Sequence, residues 1–173
     1  MKAMKAYTIQ FAGLTNTIHY LEFEIDALFF RHFESSPIKQ ADIFVHLTFD
    51  KRPGMFVLDF NIDGQVIGEC DRCLNKIYIP LRAQHKMLVK FNDELAGMPQ
   101  ADPDIMYLST KEHSINIQQL IYEYIVLSMP IKKICENSLI GNTRCNKSML
   151  KAMKRDIKQE AIDPRWEQLK KLK

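Results

Sequence analysis

The chain has 173 residues, 46% of them hydrophobic and 26% charged. That is enough for one domain with a real core plus appendages, and it excludes wholesale disorder. No apolar run reaches the ~20 residues that would span a bilayer and nothing at the N-terminus resembles a secretory signal, so the expectation is a cytoplasmic protein with no membrane partner. The net charge of +3 is unevenly placed: residues 144–173 carry ten Lys or Arg against four Asp or Glu, and residues 1–143 carry fourteen against seventeen.

In chain order, the first two thirds read mainly as strands. Leu21, Phe23 and Ile25 alternate with Glu22 and Glu24, and Asp26 is placed to cap a short helix in which Phe29 and Phe30 join the core. Ala41, Ile43, Val45, Leu47 and Phe49 then fall at every second position, with Asp42, His46, Thr48 and Asp50 on the other face, as in an antiparallel sheet with one side in water. Phe56, Leu58, Phe60 and Ile62 repeat the pattern, and Asp63-Gly64 predicts a tight hairpin turn before a further strand over residues 65–69. Ile77, Ile79, Leu81, Ala83, Met87, Val89 and Phe91 mark a strand of about fifteen residues, long enough to bend around a curved sheet or barrel, with Pro80 pointing to an edge or bulge. Arg82, Lys86 and Lys90 share the face opposite its apolar side.

Residues 92–104 read as an exposed loop. Ile117, Leu120, Ile121, Tyr124 and Ile125 recur at helical spacing, with Asn116 to cap the start and Pro130 to enforce the stop. That helix should lay its apolar stripe on the sheet. Further on, Lys147, Lys151, Lys154, Arg155 and Lys158 lie at helical offsets that place all five on one face, with Met149, Leu150 and Met153 free to pack beneath. Asp163-Pro164-Arg165-Trp166 starts a last helical turn, in which Trp166 and Leu169 serve as an anchor. The elements predict an α+β fold: a curved antiparallel β-sheet or barrel-like core, one packed amphipathic helix, a cysteine cluster, and a helical basic C-terminal tail. The predicted division is a β-rich domain at 1–145 and a basic extension at 146–173.

The four cysteines narrow the chemistry most. Cys70 and Cys73 have the two-residue spacing of a zinc knuckle, and four thiolates make a closed tetrahedral site that is structural, with no position open to substrate. A redox motif would open a helix, whereas Lys76-Ile77-Tyr78-Ile79 reads as strand. Disulfides are disfavoured in reducing cytosol. Nine residues separate Cys135 from Cys145, among them Gly141 and Asn142, a loop spacing. Cys135 is therefore either the fourth ligand or a buried thiol replaced in the site by His85 or His113. His19, His32 and His46 are equally scattered, and no paired carboxylates or Ser/His/Asp set suggests an enzyme or a small-molecule substrate. The basic end calls either for a polyanion or for plain solvent around a charged helix.

Four segments in series resemble a known family. They are Gly64-x-Val66 leading into Cys70-Asp71-Arg72-Cys73-Leu74; Ile121-x-Glu123-Tyr124-Ile125-x-Leu127-Ser128-Met129-Pro130-Ile131; Gly141-Asn142-x-x-Cys145; and Asp163-Pro164-Arg165-Trp166-x-x-Leu169. Their order and spacing resemble the YceD family, described as large ribosomal RNA subunit accumulation proteins, and most closely its Bacteroidetes-type members. The resemblance implies a bacterial cytoplasmic factor that supports synthesis or processing of large-subunit ribosomal RNA by binding that RNA or its precursor, with no catalytic residues. Cys70, Cys73 and Cys145 match the family's cysteine positions, and Cys135 stands where relatives often carry His, another zinc ligand. The expected contacts to RNA are Arg72, Arg82, Lys86, Lys90, Arg144, Lys147, Lys151, Lys154, Arg155 and Lys158. For Arg72 and Arg144, offsetting the negative charge of a four-thiolate zinc site is an equal claim. The alternative partner is a ribosomal protein or an RNA-processing nuclease.

Overall fold

A computed structural model describes residues 6–98, 102–135 and 145–157, with side chains as far as residue 153. Its centre is a five-stranded sheet in the order β2-β3-β4-β5-β6: β2 is Ile18–Ile25, β3 is Gln40–Arg52, β4 is Met55–Glu69, β5 is Lys76–Phe91 and β6 is Ile105–Leu108. Neighbours are antiparallel except β5 and β6, which run parallel. A separate two-stranded ribbon joins β1 (Thr8–Ile9) to β7 (Ile115–Asn116).

The alternation seen in the sequence sets the two faces. Ile43, Val45, Leu47 and Phe49 of β3 and Phe56, Leu58, Phe60 and Ile62 of β4 are buried on the inner side, where each contributes ~1.5–3 kcal/mol. Ile77, Ile79, Leu81, Met87 and Val89 of β5 join them. Two helices cover that side. The one-turn α1 (Ala27–Phe30) starts under an Asp26 carboxylate that accepts from the Leu28 and Phe29 amides at 2.8 and 3.2 Å, and its Phe29 and Phe30 are buried. In α2 (Gln118–Leu127) the predicted stripe is all buried, and Asn116 Oδ1 accepts from the Gln118 amide at 2.8 Å. Tyr124 of α2 meets Phe60 edge-on at 5.2 Å, while Phe33 stacks on Tyr122 at 3.8 Å and ties the segment after α1 to α2. At the sheet's far end Lys51 Nζ donates to the carbonyls of Phe11 and Leu14, fastening the N-terminal segment.

Three expectations need correction. Asp63-Gly64 is no turn: β4 runs through it, pairing Gly64 with Ile43 on one side and Leu81 on the other. Gly64 has φ +152°, and a Cβ there would collide with the Asp42 carbonyl oxygen and lie 2.6 Å from Ile43 Cα, so glycine serves a close approach of two strands. The hairpin turn lies earlier, at Pro53-Gly54 between the paired Arg52 and Met55, where proline presets the first central residue and Gly54 supplies φ +78° at the second. Nor is the sheet a barrel: it stays open, with β2 and β6 at its edges. Third, the stretch after the 92–104 loop contains β6, which pairs only Leu88–Phe91, so β5 is an edge at the exposed Pro80, as its proline suggested.

A candidate metal centre at the end of the sheet

The chain leaves β4 through the Cys70–Asn75 knuckle and re-enters the sheet as β5. Within it, Leu74 N–H donates to Cys70 O at 2.9 Å and Cys70 N–H to Asn75 O at 2.8 Å, a turn tight enough to hold Leu74 at φ +58°. The turn points two sulfurs the same way. Cys135 arrives from the segment after α2, delivered by a strap that sequence reasoning missed: Asp71 N–H donates to Lys133 O at 2.7 Å, and Lys133 N–H donates back to Asp71 Oδ2 at 2.6 Å. Both bonds run through backbone at residue 133, so no side-chain pattern there announced them. Cys145 completes the group just before α3 (Lys147–Ile157), whose start is capped by Asn146 Oδ1 accepting from the Ser148 amide at 3.0 Å.

All four Sγ atoms lie within 4.8 Å of one another. Cys70 and Cys145 are 3.9 Å apart and Cys73 and Cys135 3.5 Å, too far for disulfides, and all four thiols are free. Four sulfurs around one zinc at ~2.3 Å would stand about 3.8 Å apart along each tetrahedral edge. The observed spacing fits an ion of that size. Cys70, Cys73 and Cys135 are buried, and with Ile77, Ile79 and Ile134 they form a second apolar cluster, distinct from the main core and joined to it through Met129.

Burial raises a thiol's pKa, and at Cys70 it is outweighed by the Arg72 and Cys73 amides and by neighbouring thiols, which bring it down to about 6. Cys73 is also lowered: against burial act the backbone amides of Asn146 and Asn75 and the Cys135 thiol. Cys135 is raised, by burial first and then by the other sulfurs, and burial likewise raises Cys145. A dry pocket that holds two sulfurs toward thiolate has anionic charge to balance, and a cation at the centre balances it. The four residues can hold a metal ion, and a closed four-sulfur set leaves no position for substrate chemistry.

His85 and His113 take no part. The His85 ring stacks on Tyr124 at 4.4 Å and its Nε2 meets Ser128 Oγ at 3.1 Å, and His113 is exposed beside β7. Of the expected RNA contacts, Arg72 lies inside the knuckle and Lys147 and Lys151 are exposed on α3. Arg82, Lys86 and Lys90 sit on the outer sheet face, away from the sulfurs, where Arg82 Nε pairs with Asp63 at 2.8 Å and Lys86 lies across from Asp59. On α3, Met149 and Met153 are largely exposed and Leu150 half-buried. Arg144, Lys158, Trp166 and Leu169 lie outside the described residues, as do the side chains of Lys154 and Arg155.

No helix among the described residues is long and apolar enough to cross a membrane. No curated protein and no solved structure matches the chain. The family described as Large ribosomal RNA subunit accumulation protein YceD matches residues 58–173, two thirds of the chain and a span that includes all four cysteines. On that match, together with the order of segments noted in its sequence, the chain belongs to the YceD family.

Proposed function

We propose that this protein is a non-enzymatic, cytoplasmic factor of large-subunit biogenesis that binds large-subunit ribosomal RNA or its precursor through a cationic surface fixed by a structural zinc ion. The observation that carries the reading is the meeting of Cys145 with Cys70, Cys73 and Cys135, one residue short of the capped start of α3. An ion held there would anchor the basic extension, 146–173, to the β-rich domain. The family's description, large ribosomal RNA subunit accumulation, supplies the RNA.

The proposed contacts are Arg72, Arg144 and the cations of residues 147–158, which include Lys154, Arg155 and Lys158. Arg82, Lys86 and Lys90, on the outer sheet face, add less, because Glu22, Glu24, Asp59 and Asp63 stand on the same face. Leu74, Leu127 and Ile131, all well exposed, favour a second reading in which a ribosomal protein or a processing nuclease docks near this end.

Fluorescence anisotropy with a large-subunit precursor fragment tests the main reading. Affinity should fall with salt by ~0.7 logarithmic units per decade for each phosphate contact on single-stranded RNA. Lys147→Glu/Lys151→Glu/Lys154→Glu should flatten that slope by about two units. RNA affinity equal to the parent's in the triple variant, or a salt-insensitive complex with a protein alone, would overturn it. Elemental analysis should find about one zinc per chain, and less than ~0.2 would remove the metal from the account.

A further inference from the structure

Beside the cysteine centre the surface opens into a groove of about 640 Å³. Its cations are Lys39, Lys76 and Lys133, which arrive from three separate parts of the sequence, and its apolar walls include Ile67, Leu74 and Met129. Among the described residues no ion pair engages any of the three lysines. The two carboxylates present, Glu69 and Asp71, leave the three lysines one positive charge in excess. Cations collected over low-dielectric walls focus a positive potential into the space between them.

The groove also has an open backbone edge. β3 pairs with β4 only as far as Gln40↔Ile67, while β4 goes on to Gly68 and Glu69, which pair with β5 alone. Because Cys70 N–H bonds to Asn75 O, the antiparallel alternation turns Gly68 toward Ile77 of β5 and leaves Glu69 facing the side that β3 vacates, where no described residue hydrogen-bonds to its backbone. One residue is too few to take up an added strand, and its N–H and C=O suffice to meet the edge of a base.

We propose that this groove binds single-stranded RNA, with Lys39, Lys76 and Lys133 on successive phosphates and an unstacked base set against the bare backbone of Glu69. The inference rests on the RNA reading above and gives it a site that the charge pattern of the C-terminal segment does not reveal. Unstacked nucleotides present a free base edge and a duplex does not, so the occupant is a single strand.

The test uses the full zinc-loaded chain and a labelled 12-nucleotide RNA, single-stranded and as a duplex, titrated from 50 to 300 mM KCl. The parent should prefer the single strand, and Lys39→Glu/Lys76→Glu should lower the salt slope by about 1.4 and the affinity about tenfold, with zinc content unchanged. Lys111→Glu, a single charge reversal in the turn before β7, should leave binding as it is. Parent-like affinity and slope in Lys39→Glu/Lys76→Glu, while the α3 triple variant loses binding, would overturn the groove and leave the RNA reading standing. A parent that binds no RNA would overturn both. Displacement of the RNA by an acidic peptide at equal concentration would assign the groove to a protein segment and overturn the proposal.

Discussion

Replacing Asp71 with alanine tests how the metal centre is assembled. The side chain supplies one of two bonds that hold the residue-133 peptide against the knuckle, at 2.6 Å, and the backbone bond of 2.7 Å survives the change. A hydrogen bond to a charged acceptor is worth ~1.5–3 kcal/mol, and the exposure of Asp71 in water places this one at the low end or below, about 1–1.5 kcal/mol. Because Cys135 follows two residues later, slackening of the strap should appear as weaker metal binding, by about 5- to 10-fold. Competition against a colorimetric zinc chelator reads that directly. Asp71→Asn keeps an oxygen at the same place without the charge and should fall between parent and alanine variant. Thermal unfolding of the sheet should be nearly unaffected, since the main core contains neither the strap nor the sulfurs. Parent-like metal affinity in Asp71→Ala, or an asparagine variant as weak as the alanine one, would refute the strap argument.

Gly64→Ala should cost ~3 kcal/mol or more, because its Cβ would strike the backbone of β3 and its φ of +152° suits only glycine; the expected fall in Tm is roughly 10 °C. Gly64→Asn should be at least as harmful, and a shift within about 2 °C in a circular-dichroism melt would restore the turn reading, since turns accept asparagine. The Asp93 carboxyl is held below its ordinary pKa by the Ser109 hydroxyl at 2.6 Å and by the Thr110 amide and hydroxyl at 2.9 and 2.8 Å. A lowered carboxylate contributes stability above the unfolded value and loses it as pH falls through the folded one, so the exchange of the Thr110 amide, taken relative to its intrinsic rate, should rise on acidification in the parent. In Asp93→Ala that exchange should be fast already and lack this acid step, and an identical pH profile in the two proteins would refute the assignment.

Period-two alternation made the sheet legible wherever one face is buried: β2, β3, β4 and the long β5 all follow it, and so does the stripe of α2. The error at Asp63-Gly64 came from trusting a two-residue turn signal over the pattern on either side of it. Positions 56, 58, 60 and 62 continue through 64 to the buried Val66 without a change of face, which a turn would have broken. β6 was missed because four residues in parallel pairing carry no local signature, and their partner lies across a loop. At the metal centre, the spacing of Cys70 and Cys73 declared the knuckle. The place of Cys135 depended on the Asp71 strap, a contact between a side chain and distant backbone that no spacing rule contains. The groove lysines were invisible for the same reason: Lys39, Lys76 and Lys133 belong together only after the sheet has formed.

The sulfur pairs span the sequence widely, positions 73 and 135 being 62 apart and positions 70 and 145 being 75 apart. A contact that distant closes late, after the intervening strands and α2 have found their places. Zinc capture would then report on completed folding: a nascent or damaged chain could not retain the ion, and its basic segment would hang untethered. On the readings proposed above, such a chain would not present the groove and α3 in a fixed mutual arrangement, and unfinished copies would engage RNA poorly.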